Sequence, residues 1–118
     1  MSDSLSFIGK LVDLVIDRPM GSRHPQHEFE YLVNYGFVPG TLAPDGEPID
    51  AYFLGLDKPI QTIQGRCIAV IQRHNDDDDK LVVVPDGVSL SNEEIREATL
   101  FQEQYFESVI LRSDQPTS

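Results

Sequence analysis

Residues 31–50 read YLVNYGFVPGTLAPDGEPID, and the rest of the chain is arranged around them. Asp45, Glu47 and Asp50 fall within six residues about an Asp-Gly turn, and Tyr31, Asn34 and Tyr35 precede a bend marked by Gly36, Pro39 and Gly40. Carboxylates set this close repel one another. At about 4 Å and an effective dielectric near 20, each pair costs roughly 4 kcal/mol. Three such acids either fan into water or hold a cation.

On either side the pattern is that of short strands. Leu11–Asp17 (LVDLVID) places Val12, Leu14 and Ile16 on one side of a period-two alternation, as a half-buried strand does. The alternation of Phe29, Tyr31, Val33 and Tyr35 predicts a second strand, and Ile49–Leu54 a third. Residues 55–65 read as a polar connection. Arg66–Gln72 and Leu81–Pro85 are β-rich runs flanking an acidic hairpin tip, His74 to Lys80. Ser91 and Glu94 form a capping box, and Ile95, Ala98, Phe101 and Tyr105 follow at helical spacing. Ser108–Leu111 suits a short closing strand, while residues 1–6 and 113–118 read as disordered ends. About five strands and one C-terminal helix predict a mainly β (α+β) fold, a small barrel with the helix packed against it.

The chain's 118 residues make one domain, 1–118, able to bury roughly 65% of its unfolded surface. A formal charge of −11 argues against nucleic acid and acidic membrane surfaces, which bind through Lys and Arg stripes. No apolar run approaches the roughly 18 residues that span a bilayer, and no signal peptide is visible, so the expected location is cytoplasmic. The single cysteine, Cys67, sits in an apolar run as a buried structural thiol. An anionic substrate is compatible with this charge only if metal ions accompany it.

The acids of the hairpin, Asp76–Asp79, form a second cluster that a barrel can bring to the same mouth as Asp45, Glu47 and Asp50. All-oxygen donors select hard cations such as Mg²⁺ or Mn²⁺ over zinc. Neither cluster has the glycine and glutamate spacing of an EF-hand, and His24 and His27 lack the further Cys or His of a zinc site. No phosphate-binding glycine loop or serine or cysteine nucleophile signature is present.

The run Tyr31-Leu-Val-Asn34-Tyr35-Gly-Phe-Val-Pro-Gly-Thr41, followed by Asp45-Gly-Glu47-Pro-Ile-Asp50, resembles the signature of soluble family I inorganic pyrophosphatases. Asp78-Asp79-Lys80-Leu81-Val82 resembles a second element of that family, and Phe101–Tyr105 the helix segment that carries a phosphate-binding tyrosine. The resemblance spans residues 10–107. It implies a five-stranded OB-like barrel that hydrolyses pyrophosphate, taken as its metal complex, with several Mg²⁺ ions (Mn²⁺ accepts the same oxygens). It puts Asp45, Asp50 and Asp78 on metal-ligand positions, Asn75 or Asp76 on a further one, and Asp17 on an outer one. Lys80, Tyr35 and Tyr105 fall on phosphate-contacting positions, and Arg23 takes the role of the family's arginine. Members are commonly homo-oligomers.

The departures bear on rate. Glu47 stands where the family carries the aspartate that orients or deprotonates the attacking water, and a displacement of about 1 Å can cost about 10²-fold. Phe106 stands where the family has a lysine for the departing phosphate. The hairpin before Tyr31 is reduced to Arg23-His-Pro-Gln-His-Glu28. The expected enzyme is a metal-dependent diphosphatase slower than full-length relatives. The alternative is a relative that binds metal-phosphate, a nucleotide or a protein partner without turnover.

Overall fold

The structure is a computed structural model that describes residues 4–24, 29–42, 46–74 and 79–112. After a 3-10 turn, Ser4–Phe7, come strands β1 (Leu11–Arg18), β2 (Asn34–Phe37), β3 (Asp50–Phe53), β4 (Thr62–Arg73) and β5 (Lys80–Val84). Helix α1 (Asn92–Glu103) and strand β6 (Ser108–Leu111) follow. The sheet order is β1-β2-β3-β5-β4, and β1 also pairs with β4, which closes a five-stranded barrel. Strand β6 adds to the far half of β4 through Val70–Arg73. All pairings are antiparallel except β3 with β5.

The twelve residues of β4 make this topology possible. Its first half pairs with β1 (Leu11 opposite Arg66, Val15 opposite Thr62), its last four residues pair with β6, and its other edge takes β5. Alternation then sorts two cores. Val12, Leu14, Ile16, Ala51, Phe53, Cys67, Val70, Leu81 and Val83 fill the barrel interior. Tyr35, Tyr52, Leu54, Ala69, Ile71, Val82 and Val84 face the other way, under Ile95, Ala98 and Phe101 of α1. Strand β5 is buried on both faces and so reads as an unbroken apolar run rather than an alternating one. The helix begins as expected: Glu94 N–H donates to Ser91 Oγ (3.1 Å) and Ser91 N–H to Glu94 Oε1 (3.0 Å), a cap of about 1 kcal/mol.

Several boundaries differ from the sequence expectation. The second strand lies at Asn34–Phe37, later than the run through Phe29 to Tyr35, because Gly36 is a strand residue and not part of a bend. A Cβ on Gly36 would run into the Val15 carbonyl oxygen and sit 2.7 Å from Ile16 Cα. Only a glycine lets β1 cross β2 here, where the register shifts between Val15 and Arg18. Strand β4 starts at Thr62, inside the expected polar connection, since Thr62 and Gln64 face solvent while Ile63 and Gly65 point inward. Ser4–Phe7 form a 3-10 turn in which Ser4 is buried. The helix ends at Glu103, so Tyr105 lies in the turn beyond it. The acidic tip at 75–78 and the C-terminal 113–118 lie outside the described residues. Among the described residues no helix is long and apolar enough to cross a membrane.

Asn34, fully buried, knits the loops beneath β2. Its Oδ1 accepts from Met20 N–H (2.9 Å) and Ile60 N–H (3.3 Å), and its Nδ2 donates to the Lys58 carbonyl (2.9 Å).

Two outcomes follow. Gly36→Ala should cost at least about 3 kcal/mol in urea unfolding, because backbone rather than a movable side chain meets the new methyl. The second concerns Cys67, whose thiol burial pushes up to about 11 from 9.0. The folded state excludes the thiolate, so this contribution is fully present below pH 9 and is lost as the pH rises to about 11. Unfolding free energies from urea titrations between pH 8.5 and 11 should fall less steeply in Cys67→Ala, by up to about 1.4 kcal/mol per pH unit.

Candidate active site

On the outer face of the barrel, beside the end of α1, lies a cavity of about 690 Å³. Strand register puts its charged groups there. Asp50 and Lys80 are direct partners in the parallel β3–β5 ladder, and Lys80 Nζ donates to Asp50 Oδ2 at 2.7 Å. Lys80 is only 3% exposed, an ammonium in the cavity wall and not on a free surface. Its Nζ lies 5.3 Å from the Tyr35 ring centroid, within cation–π range. Tyr35 sits opposite Tyr52 across β2–β3, so Tyr35, Asp50, Tyr52 and Lys80 share one face by period two.

Aromatic rings make much of the wall. Tyr31 stacks on Tyr35 (centroids 5.4 Å apart), Tyr52 meets Tyr35 edge-on (4.9 Å), and Phe29 packs against Tyr31 and Tyr105. Burial raises the Tyr31 hydroxyl's pKa, outweighing the nearby Arg18 charge.

At the helix end a buried polar network closes the cavity. Arg73 donates from Nε to Glu103 Oε1 (3.1 Å) and from Nη2 to Oε2 (2.7 Å). Tyr52 O–H donates to Glu103 Oε2 (2.6 Å) and accepts from Gln102 Nε2 (2.7 Å). Burial, with the adjacent Glu103 charge, pushes Tyr52 well above the usual tyrosine value. Burial lowers the Arg73 pKa, but the hydrogen bonds and charge of Glu103 outweigh it, so the guanidinium lies above its usual value.

The expected site residues distribute unevenly. Asp17, Tyr35, Asp50, Lys80 and Tyr105 all line the cavity, Tyr105 with 65% of its surface exposed. Arg23 is exposed, in an isolated bridge with Glu30, and Arg18 lines the cavity instead. Glu47 is exposed and outside the cavity lining. Its loop is pinched at the neck, where Thr41 Oγ1 donates to the Val38 carbonyl (2.6 Å) and accepts from Ile49 N–H (3.0 Å). Asp45, Asp76 and Asp78 lie outside the described residues, as does Asn75.

Among the described residues no group of three or more His, Cys, Asp or Glu is placed to hold a metal. The carboxylates that do reach the cavity, Asp17 and Asp50, are hard oxygen donors, with no Cys to favour a soft ion. Such donors suit a hard divalent cation.

Sequence reasoning missed Arg73, Gln102, Glu103 and Tyr52. A signal existed for two of them: Ile95, Thr99, Gln102 and Glu103 are the buried residues of α1 at i, i+4, i+7 and i+8. Following that stripe through its polar members would have marked Gln102 and Glu103.

The profile described as "Inorganic pyrophosphatase" matches residues 12–110. An inorganic pyrophosphatase of Aeropyrum pernix is 31% identical over 96 residues, covering 64% of this chain and 54% of that protein. One from Rickettsia prowazekii is 28% identical over 95 residues, covering 63% and 55%. The chain thus spans about half the length of the curated relatives it matches. The crystal structure of an inorganic pyrophosphatase from Ehrlichia chaffeensis superposes with a TM-score of 0.67 at 22% identity, over 86% of this chain and 84% of that one. The Helicobacter pylori enzyme gives 0.68 at 22%, over 93% and 88%. At these identities the superpositions establish the shared barrel fold. With the profile match across nearly all its strands, the chain belongs to the inorganic pyrophosphatase family.

Proposed function

We propose that the protein hydrolyses inorganic pyrophosphate to two phosphates in a metal-dependent reaction. The observation that carries this reading is the Asp50–Lys80 pair, a carboxylate and an ammonium 2.7 Å apart in the wall of a cavity lined by tyrosines. Asp50 and Asp17, joined by Asp45, Asp78 and Asp76 from the two acidic loops, would hold Mg²⁺, with Mn²⁺ accepting the same ligands. The bound ions supply charge neutralisation and a water acidic enough to attack at neutral pH.

The chain's own residues do the rest. Lys80 binds and orients a phosphoryl oxygen, and its ammonium stabilises charge that develops there. The hydroxyls of Tyr35 and Tyr105 donate to phosphate oxygens, and Arg18, which lines the cavity where the exposed Arg23 does not, supplies charge. Glu47, exposed and outside the cavity lining in the structure, must turn toward the cavity to accept the proton of the attacking water. Water adds to one phosphorus, the bond to the bridging oxygen breaks, and two phosphates depart. Turnover below that of full-length relatives follows from Glu47 in place of an aspartate.

The chain's −11 charge supports pyrophosphate arriving as its metal complex, with neither nucleic acid nor a membrane surface as partner. We place the activity in the cytoplasm. Phe106, apolar where the family has a lysine, favours a second reading, a domain that binds metal-phosphate without turnover.

Phosphate release from pyrophosphate with Mg²⁺ or Mn²⁺ separates the two. Asp50→Asn should lower it by at least about 10²-fold while circular dichroism shows an intact fold. Release that persists unchanged in Asp50→Asn would sink the metal-site assignment. No release from the parent, alongside measurable metal binding, would establish the second reading.

A further inference from the structure

Arg73 is the last residue of β4 and lines the same cavity as Asp50 and Lys80 while being only 7% exposed. The β4–β5 ladder sets Ile71 opposite Lys80, so Arg73, two residues on, is on the same sheet face and diagonal to Lys80. Such diagonal neighbours are about 7–8 Å apart. Two cations on neighbouring positions of one sheet face, one from each strand and both lining the cavity, suit the two phosphoryl groups of a phosphoanhydride.

The guanidinium is held in place from two sides. Glu103 takes Nε and Nη2 in a forked pair, and Glu103 is itself anchored by Tyr52, which Gln102 holds in turn. The Phe106 ring covers the guanidinium, its centroid 3.6 Å from Cζ. Phe106 is brought there because its N–H bonds back to the Glu103 carbonyl (3.0 Å) and because β6 pulls the following chain along β4. A strap between strand and helix needs no charge, since apolar replacements of buried ion pairs are often as stable or more so. An arginine oriented by a carboxylate and set in a cavity wall is a fork suited to phosphate oxygens.

We infer that Arg73 is a substrate-binding residue of this cavity, contacting the phosphoryl group beside the one held at Lys80. The assignment rests on the pyrophosphatase reading above. It gives the site, from β4, the cation that position 106 does not carry.

The test uses the full chain and inorganic phosphate in the presence of Mg²⁺, with pyrophosphate hydrolysis measured separately. Arg73→Met/Glu103→Gln removes both charges together and keeps an acceptor for Tyr52. It should melt cooperatively and bind phosphate about 10- to 100-fold more weakly by calorimetry. Adding Phe106→Lys to that variant returns a cation to the same wall and should recover most of the loss. In the parent, the Arg73 Nε–Hε resonance, assigned by its absence in Arg73→Lys, should shift as phosphate is titrated. That measurement stands even if the double variant does not fold. A folded double variant that binds phosphate within twofold of the parent overturns the inference. So does an Arg73 resonance unmoved at saturation, or a parent that binds no phosphate. Absence of hydrolysis in the parent, with the Arg73 shift intact, overturns the pyrophosphatase reading and leaves Arg73 as an anion-binding residue.

Discussion

The parallel pairing of β3 with β5 is the constraint on which the other features depend. Among the described residues it is the one parallel ladder in the sheet, and it joins strands separated by the whole of β4. Because β5 also pairs with β4, and β4 with β1, the same ladder closes the barrel. Its first rung sets Asp50 beside Lys80. A slip of β5 by one residue would turn Lys80 to the opposite face, into the barrel interior and away from Asp50. Burial of Ala51, Phe53, Leu81 and Val83 inside and of Tyr52, Val82 and Val84 outside forbids that slip. The apolar core therefore sets the geometry of the charged site.

The outer face solves a different problem. Tyr52 brings a hydroxyl, and Arg73 and Glu103 bring full charges, to positions that exclude water. Leaving any one unmatched would cost several kcal/mol. The network of Arg73, Glu103, Tyr52 and Gln102 matches them among β3, β4 and the last turn of α1. The network joins Ile95 and Phe101 in holding the short helix on the barrel, and the cavity gains a fixed wall.

Much of this was legible in the order of residues. The alternation in β1, the apolar run of β5 and the capping box at Ser91 each reflect a single physical cause acting over a few residues. Gly36 was misread because a glycine in isolation signals a bend. Its reason for being there is the backbone of β1, some twenty residues away in sequence. The start of β4 was missed because Thr62 and Gln64 look like loop residues until β1 is known to lie beside them. Arg73 drew no notice, since nothing local distinguishes an arginine at a strand end from one in water.

By itself, then, the sequence determined the strand-rich class, the helix start, and the identity of the acids, lysine and tyrosines available for chemistry. Those properties follow from periodicity and from residue chemistry, both local. The tertiary structure decided which side chains meet: Asp50 with Lys80 by a parallel register, Tyr35 with Tyr52 by an antiparallel one, and Arg73 with Glu103 by the docking of α1. Register and docking are set by burial summed over the whole barrel, so no single stretch could reveal them. Residues 31–50 announce an acidic turn between strands, and the ladder that carries Lys80 turns Asp50 into half of a charged pair.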